Sequence, residues 1–201
     1  IAEMRDNPRL LPYMDIPIQH INDRILTAMN RHGNGRLVRE TVAKLRREVP
    51  GITLRTTAMV GFPGETREEF EELCNYLREA RFDRFGAFTY SPEEDTPAAT
   101  FPDQIDEQEK QDRYDVLMQT QLPISEELQK AKVGSDVVVL CEGYDRVAST
   151  HFGRSAADAP DVDGKVYFSS KKRIAPGKFV RVHLTEAMDY DLIGELVEEL
   201  D

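Results

Sequence analysis

The stretch that most constrains this chain runs from Ile52 to Ala80. Ile52 to Val60 is an apolar, β-branched run, which predicts a strand buried on both faces. Gly61, Pro63 and Gly64 follow within four positions and stop it. Thr66 with Glu69 three residues on is a capping box. It opens a helix whose apolar positions are Phe70, Leu73, Cys74, Leu77 and Ala80. The unit is therefore strand, tight turn, helix. In α/β proteins, ligands bind at the C-terminal ends of parallel strands, where such turns lie. Free backbone N–H groups and a helix N-terminus at this turn suit a ligand with polar edges. A Gly-rich turn on its own is also ordinary βα punctuation.

Two more strand-like segments flank this unit. Tyr13 to Gln19 reads as a short buried strand in which Pro17 sits where no N–H is needed. Arg84 to Tyr90 reads as a third strand, closed by the turn-rich Ser91 to Pro97. Between the first two lie a short helix capped by Asn22 or Asp23 and a longer one carrying Leu37, Val38, Val42, Leu45 and Val49, stopped by Pro50-Gly51. Strands alternating with helices mean βαβ units and a parallel sheet. Three such units precede residue 105, whereas a closed eight-unit barrel needs roughly 250 residues. Residues 1–132 thus correspond to half of a (β/α) barrel. From Asp106 to Lys132 the period is helical, and Pro123 must kink that helix or start a new one.

The texture changes after Val133-Gly134. Val137–Leu140, Lys165–Phe168, Phe179–Leu184 and Leu192–Val197 are short β-like runs separated by Gly, Pro and Asp. They predict a small all-β, OB-like barrel over residues 133–201. The fold class is α/β, a half barrel followed by this β-domain.

The net charge is −11, and both parts share it: residues 133–201 hold 8 Lys/Arg against 13 Asp/Glu. A general nucleic-acid footprint needs a basic surface, so the charge favours a basic partner. No apolar run approaches the length of about 18 residues needed to span a membrane, and a cytoplasmic location is expected. Cys74 and Cys141 lie 67 positions apart, one on a helix stripe and one in a Val-rich strand, and are expected in cores. Lys171-Lys172-Arg173 is the single basic run and reads as a solvated hairpin tip. The first residue is Ile1, which suggests a piece of a longer protein.

Four phrases together carry a family resemblance. Arg55-Thr56-Thr57-Ala58-Met59-Val60-Gly61-Phe62-Pro63-Gly64-Glu65-Thr66 resembles, nearly word for word, the fifth-strand segment of radical S-adenosylmethionine methylthiotransferases. Asp15-Ile16-Pro17-Ile18-Gln19-His20 is similar to the fourth-strand segment, and Phe82 to Ser91 to the sixth. Gly153-Arg154-Ser155 with Asp158-Ala159-Pro160-Asp161-Val162-Asp163-Gly164 resembles the TRAM domain of the branch that modifies an aspartate of ribosomal protein S-twelve. The other branch modifies an adenosine in tRNA, and the acidic β-domain makes it the less favoured reading. A non-catalytic adaptor that docks on the ribosome or on RNA is a third reading.

The resemblance implies S-adenosylmethionine and two 4Fe-4S clusters in the whole enzyme, with a Cys-x3-Cys-x2-Cys motif holding one of them. No such motif is present here, so no metal ligand and no catalytic residue is assigned, and this piece is expected to be inactive alone. The cofactor-binding residues it implies are Gln19, Arg55, Val60, Gly61, Phe62 and Tyr90. Gln19 either reaches the ribose or amino-acid portion or is a satisfied strand-end amide. Arg55 either pairs with the cofactor carboxylate or forms a salt bridge to Asp15 or Glu93. Val60, Gly61 and Phe62 would lie along the adenine. Glu65 falls one place late for the general radical-enzyme pattern and is expected to cap the next helix. Tyr90 and Ser91 would line the same mouth. His20 reads as a structural strand-end histidine or a substrate contact; His32, His151 and His183 are assigned nothing. Arg154, Asp158, Asp161 and Asp163 are implied as the substrate-binding face toward the basic ribosomal protein. The electron donor is unknown.

Overall fold

The protein is described by a computed structural model covering residues 1–200. The chain forms two compact units. Unit one is residues 1–5 with 14–124, and unit two is residues 6–13 with 125–201.

After a short helix α1 (Ala2–Asp6), unit one is built on three strands, β1 (Tyr13–Asp15), β2 (Thr53–Val60) and β3 (Arg84–Thr89), in the order β1-β2-β3. β2 and β3 run parallel, with Arg55 beside Arg84 and Val60 beside Thr89. The N–H groups of Ile16 and Gln19 donate to the carbonyls of Arg55 and Thr57, so Pro17 falls between bonding positions, as expected. The strand itself stops at Asp15; only an isolated parallel bridge, Gln19 to Ala58, carries the pairing further.

Helices α2 (Asp23–Ala28), α3 (Gly35–Glu48) and α4 (Arg67–Ala80) each begin at a side-chain cap, expected at Asn22 and Thr66 and not singled out at Asn34. The Asn22 side chain accepts from Arg24 and Ile25 N–H, Asn34 from Leu37, and Thr66 with Glu69 makes a full capping box. Each cap is worth about 1 kcal/mol. Leu54, Ala58 and Val60 of β2 meet Leu73, Leu77 and Phe82 in one core. The opposite face of β2 is only partly covered. Arg55 and Met59 are half-buried there beside the buried Thr53 and Thr57, so the expectation of a strand buried on both faces holds fully for one face and in part for the other.

Helix α5 (Glu107–Lys130) passes through Pro123 as one helix instead of breaking there. The proline costs the hydrogen bond that the carbonyl of Gln119 would accept. The division between the units falls one residue later, at Ile124/Ser125. Before it, Leu117 packs into the first core and Gln121 donates to the carbonyl of Phe82.

Unit two contains a closed five-stranded barrel of β4 (Asp136–Asp145), β5 (Thr150–Ser155), β6 (Val166–Ser169), β7 (Phe179–Ala187) and β8 (Leu192–Leu200), in the order β4-β5-β6-β8-β7. Val180, Val182 and Leu184 of β7 point inward in strict alternation, against Val139, Cys141 and Phe168. Strand β5 was not legible, because its inward positions are His151 and Gly153 rather than a run of apolar residues. Gly153 is required there: a Cβ would lie 2.1 Å from the carbonyl oxygen of Leu140. β6 pairs with β8 in parallel. The basic run after β6 is therefore a crossover segment, not the tip of a hairpin.

Candidate functional site

The strand ends of unit one meet at a cavity of about 430 Å³. Gln19, Met59, Phe62 and Tyr90 line it, with Ser91 and Glu93 at its edge. Phe62 meets Tyr90 edge-on at 5.2 Å and Phe101 at 6.1 Å, giving a rigid aromatic floor. The volume lies within the range of small-molecule sites.

Gln19 is held in an uncommon way. Its φ is +66°, in the left-handed region that a non-glycine residue adopts at a cost of about 1 kcal/mol. It persists because β2 binds it on both sides: its N–H donates to the Thr57 carbonyl, and its own carbonyl accepts from Met59 N–H, at 2.9 and 2.8 Å. Its side-chain Oε1 is buried with no donor. A buried amide oxygen left unpaired costs about 1–3 kcal/mol. The amide is therefore set up to meet a donor from a molecule in the cavity. Tyr90, whose hydroxyl is pushed to a higher pKa first by burial and then by Glu93, remains a neutral phenol beside it.

The turn behind the cavity departs from the sequence expectation. Glu65 does not cap α4; Thr66 and Glu69 do that. The Glu65 carboxylate instead accepts from Gly61 N–H at 2.6 Å and Phe62 N–H at 3.3 Å. The Gly64 N–H donates to the Asp103 carbonyl. So the N–H groups of this turn, expected to be free for a ligand, are taken up by the protein itself. Arg113 of α5 ion-pairs with Glu65 at 3.1 Å. Lys110, one turn earlier on α5, packs its stem against Gly61 and lays its ammonium 5.4 Å from the Tyr90 ring centroid. Neither Lys110 nor Arg113 was singled out from the sequence. The available signal was two cations three apart on the apolar face of an acidic helix, in line with Tyr114 and Leu117.

The remaining predicted residues are placed as follows. Val60 is fully buried in the core, and Gly61 faces Lys110, so neither lines the cavity. Arg55 lies toward the other end of β2 and pairs with Asp15. His20 is fully buried, with Nδ1 accepting from Asn22 N–H at 3.0 Å and its pKa lowered to about 4, chiefly by burial. In unit two, Asp158 accepts from the N–H and hydroxyl of Ser155, and Asp163 from Ala159 N–H and the Tyr13 hydroxyl. Arg154 is paired with Glu142. Asp161 is exposed, in the left-handed region at φ +59°. These four thus shape one loop region, with Asp161 as its open carboxylate.

Two family models match the chain: the radical SAM superfamily over residues 1–77 and the TRAM domain over residues 133–197. A ribosomal protein uS12 methylthiotransferase RimO of Pelobacter propionicus is 46% identical over 199 residues, 98% of this chain and 44% of its own length. Proteins of the same name from Geotalea uraniireducens and Caldanaerobacter subterraneus are 46% and 45% identical over 98% and 97% of this chain. The chain belongs to the radical S-adenosylmethionine methylthiotransferase family. It spans less than half the length of these relatives. The half-barrel sheet and the five-stranded barrel are the folds that these family models lead one to expect.

Of the groups this family implies, S-adenosylmethionine fits the cavity: an aromatic floor, an unpaired amide oxygen and adequate volume are present. An iron–sulfur cluster does not fit the cysteines present. Cys74 is buried on α4 with its thiol pushed up to about 11 by burial, and Cys141 is buried inside the barrel. Cluster ligation needs close-spaced thiolates.

Proposed function

We propose that this chain supplies one wall of an S-adenosylmethionine site and the substrate-facing β-domain of a methylthiotransferase acting on an aspartate of ribosomal protein uS12. The observation that carries it is the unpaired, buried amide of Gln19 at a cavity floored by Phe62 and Tyr90. In this reading Gln19 accepts from a ribose hydroxyl or the amino-acid ammonium. Phe62 and Tyr90 lie along the adenine. Glu65, Lys110 and Arg113 hold the turn rigid behind them. Arg55 reaches the cofactor carboxylate only by leaving Asp15. S-adenosylmethionine bound here supplies the radical-generating and methyl-donating chemistry; the residues of this chain orient it and keep water from its adenine face.

The domain assignment that accompanies this reading is a radical SAM portion over 1–132 and a TRAM domain over 133–201. The acidic β-domain complements a basic ribosomal protein, and Asp161 is the carboxylate of its loop most open to one. The proposed setting is the cytoplasm, where ribosomal proteins are assembled. No described helix is long and apolar enough to cross a membrane.

The test uses the full-length protein. Gln19→Ala is expected to weaken binding of S-adenosylhomocysteine at least tenfold by calorimetry, about 1.4 kcal/mol. Affinity within twofold of the parent would remove Gln19 from the site. With cluster-loaded enzyme, mass spectrometry should find a methylthio group on uS12. Its appearance on tRNA instead would transfer the chain to the other branch.

A further inference from the structure

The cavity at the strand ends of unit one has an acidic lip. β3 stops at Thr89, and the chain passes through the buried Tyr90 into the exposed turn Glu93-Glu94-Asp95. From Phe85 to Glu109 there are seven carboxylates and no Lys, Arg or His, so no basic neighbour in sequence offsets this turn. None comes from elsewhere in the fold: among the described residues, Glu93, Glu94 and Asp95 have no cation within ion-pair distance. Glu93 lines the cavity itself. The other charged lining residue, Arg31, donates to the Pro17 carbonyl at 2.6 Å.

The turn holds its shape without using these carboxylates. The N–H and hydroxyl of Thr96 both donate to the Glu93 carbonyl, at 3.3 and 2.8 Å. Pro92 and Pro97 fix φ on either side of it. Three like charges held side by side repel one another, and an external cation relieves that repulsion.

Tyr90 gives a second, independent indication. It is only 6% exposed and lines the same cavity. Its hydroxyl makes no hydrogen bond; the Thr96 hydroxyl nearby is given to Glu93 instead. A buried polar atom left unmet is costly until a ligand supplies its partner. The phenol oxygen and the Glu93 carboxylate are thus two unmet acceptors on one cavity. A cation with several N–H donors satisfies both, which is the chemistry of a lysine ammonium or an arginine guanidinium.

The ammonium of the cofactor offers similar donors, but it brings one charge to a lip of three. Glu94 and Asp95 are exposed and lie outside the cavity lining, so they meet what approaches the mouth and not what fills it. A segment of a basic protein carries several such cations. A phosphate backbone carries none, and these charges repel it.

We propose that the turn Glu93-Glu94-Asp95 determines specificity in the reaction proposed above, pairing with Lys or Arg side chains that flank the target aspartate, with Glu93 and the Tyr90 hydroxyl taking the nearest of them. The same charges select against RNA at this mouth. The proposal rests on the uS12 methylthiotransferase reading.

The test is fluorescence anisotropy of the full-length protein with a labelled peptide spanning the target aspartate of uS12. E93Q/E94Q/D95N keeps the shape of the turn and removes its charge. It is expected to lose at least tenfold in peptide affinity at about 50 mM salt, with the loss shrinking as salt rises to about 0.5 M. Replacing the Lys and Arg residues of the peptide by Gln should weaken the parent comparably, and the two changes combined should cost less than their sum. Tyr90→Phe keeps the ring and should weaken the peptide several-fold. Calorimetry should find S-adenosylhomocysteine bound by the triple variant within twofold of the parent, and thermal unfolding checks that the variants fold. The proposal is overturned by a triple variant that binds the peptide like the parent, by strict additivity with the peptide change, by an unaffected Tyr90→Phe, or by a tenfold loss of S-adenosylhomocysteine, which would give the turn to the cofactor. A parent that binds no uS12 peptide overturns the uS12 reading as well, whereas the other outcomes leave that reading standing.

Discussion

Arg113 donates to the backbone carbonyl of Glu65 at 2.9 Å and also meets its carboxylate at 3.1 Å. That carboxylate in turn holds the N–H groups of Gly61 and Phe62. A residue of α5 thus fixes the backbone next to the cavity without touching the cavity.

Removing one partner of a buried ion pair leaves the other charge uncompensated. Arg113→Leu is therefore expected to destabilise the protein by about 3–5 kcal/mol, well beyond an exposed pair. Urea unfolding of the parent and variant measures it. A loss below about 1 kcal/mol would show that Glu65 is held by the turn alone.

Gly61 answers to two constraints that can be separated. Its φ is +73°, and an added Cβ would lie 2.3 Å from Cγ of Lys110. Gly61→Ala should cost about 1 kcal/mol for the backbone and more for the clash. In the double variant with Lys110→Ala, only the clash is relieved. A double-mutant cycle by denaturant unfolding should give a coupling above about 0.5 kcal/mol. Strict additivity would mean that Lys110 simply swings away.

His20 makes stability depend on pH. Its pKa falls from 6.5 to about 4 on folding, because burial disfavours the charged ring. The unfolded chain then binds more protons between those values. Stability is complete above pH 6.5 and declines as pH falls toward 4, by about 3 kcal/mol in all. His20→Asn retains a side-chain acceptor for Asn22 N–H and should remove this slope. An unchanged slope between pH 6.5 and 4 would assign it to other groups.

Cys74 should be chemically silent. It is 4% exposed and its thiol is raised to about 11, so little thiolate exists at neutral pH. Labelling by a disulfide reagent at pH 8 should proceed at the rate of unfolding and become fast in urea. Fast labelling of native protein would place Cys74 on an accessible surface.

Much of this architecture was legible in the chain because its signals are local. The capping box at Thr66, the Asn22 cap, and the Gly61-Phe62-Pro63-Gly64 turn each fix φ/ψ through neighbours a few residues away. The meeting of Gln19, Phe62 and Tyr90 at one mouth follows from parallel strands ending together. What stayed hidden depends on long-range partners. The task of Glu65 is set by Arg113, 48 positions away. The strand at His151 was missed because a stacked histidine and a glycine replace the apolar inward positions on which periodicity relies.

Arg55 and Gln19 were assigned to the same cofactor from the sequence, and the structure separates them. Arg55 pairs with Asp15 on the partly open face of β2, and its guanidinium passes 4.0 Å from the point where a Cβ on Gly86 would stand. Asp15 is 42% and Arg55 23% exposed at the side chain, so this pair adds less than about 1 kcal/mol of stability. Gln19, in contrast, holds an unpaired buried oxygen at the cavity. If Arg55 serves only the sheet, Arg55→Ala leaves S-adenosylhomocysteine affinity within twofold while Gln19→Ala loses tenfold. If Arg55 leaves Asp15 to meet the ligand carboxylate, Arg55→Ala weakens binding comparably, and Asp15→Ala strengthens it by freeing the guanidinium. Calorimetry on the three variants distinguishes the two: the resting pair predicts no effect of Asp15→Ala, and a gain in affinity there would put Arg55 in the site.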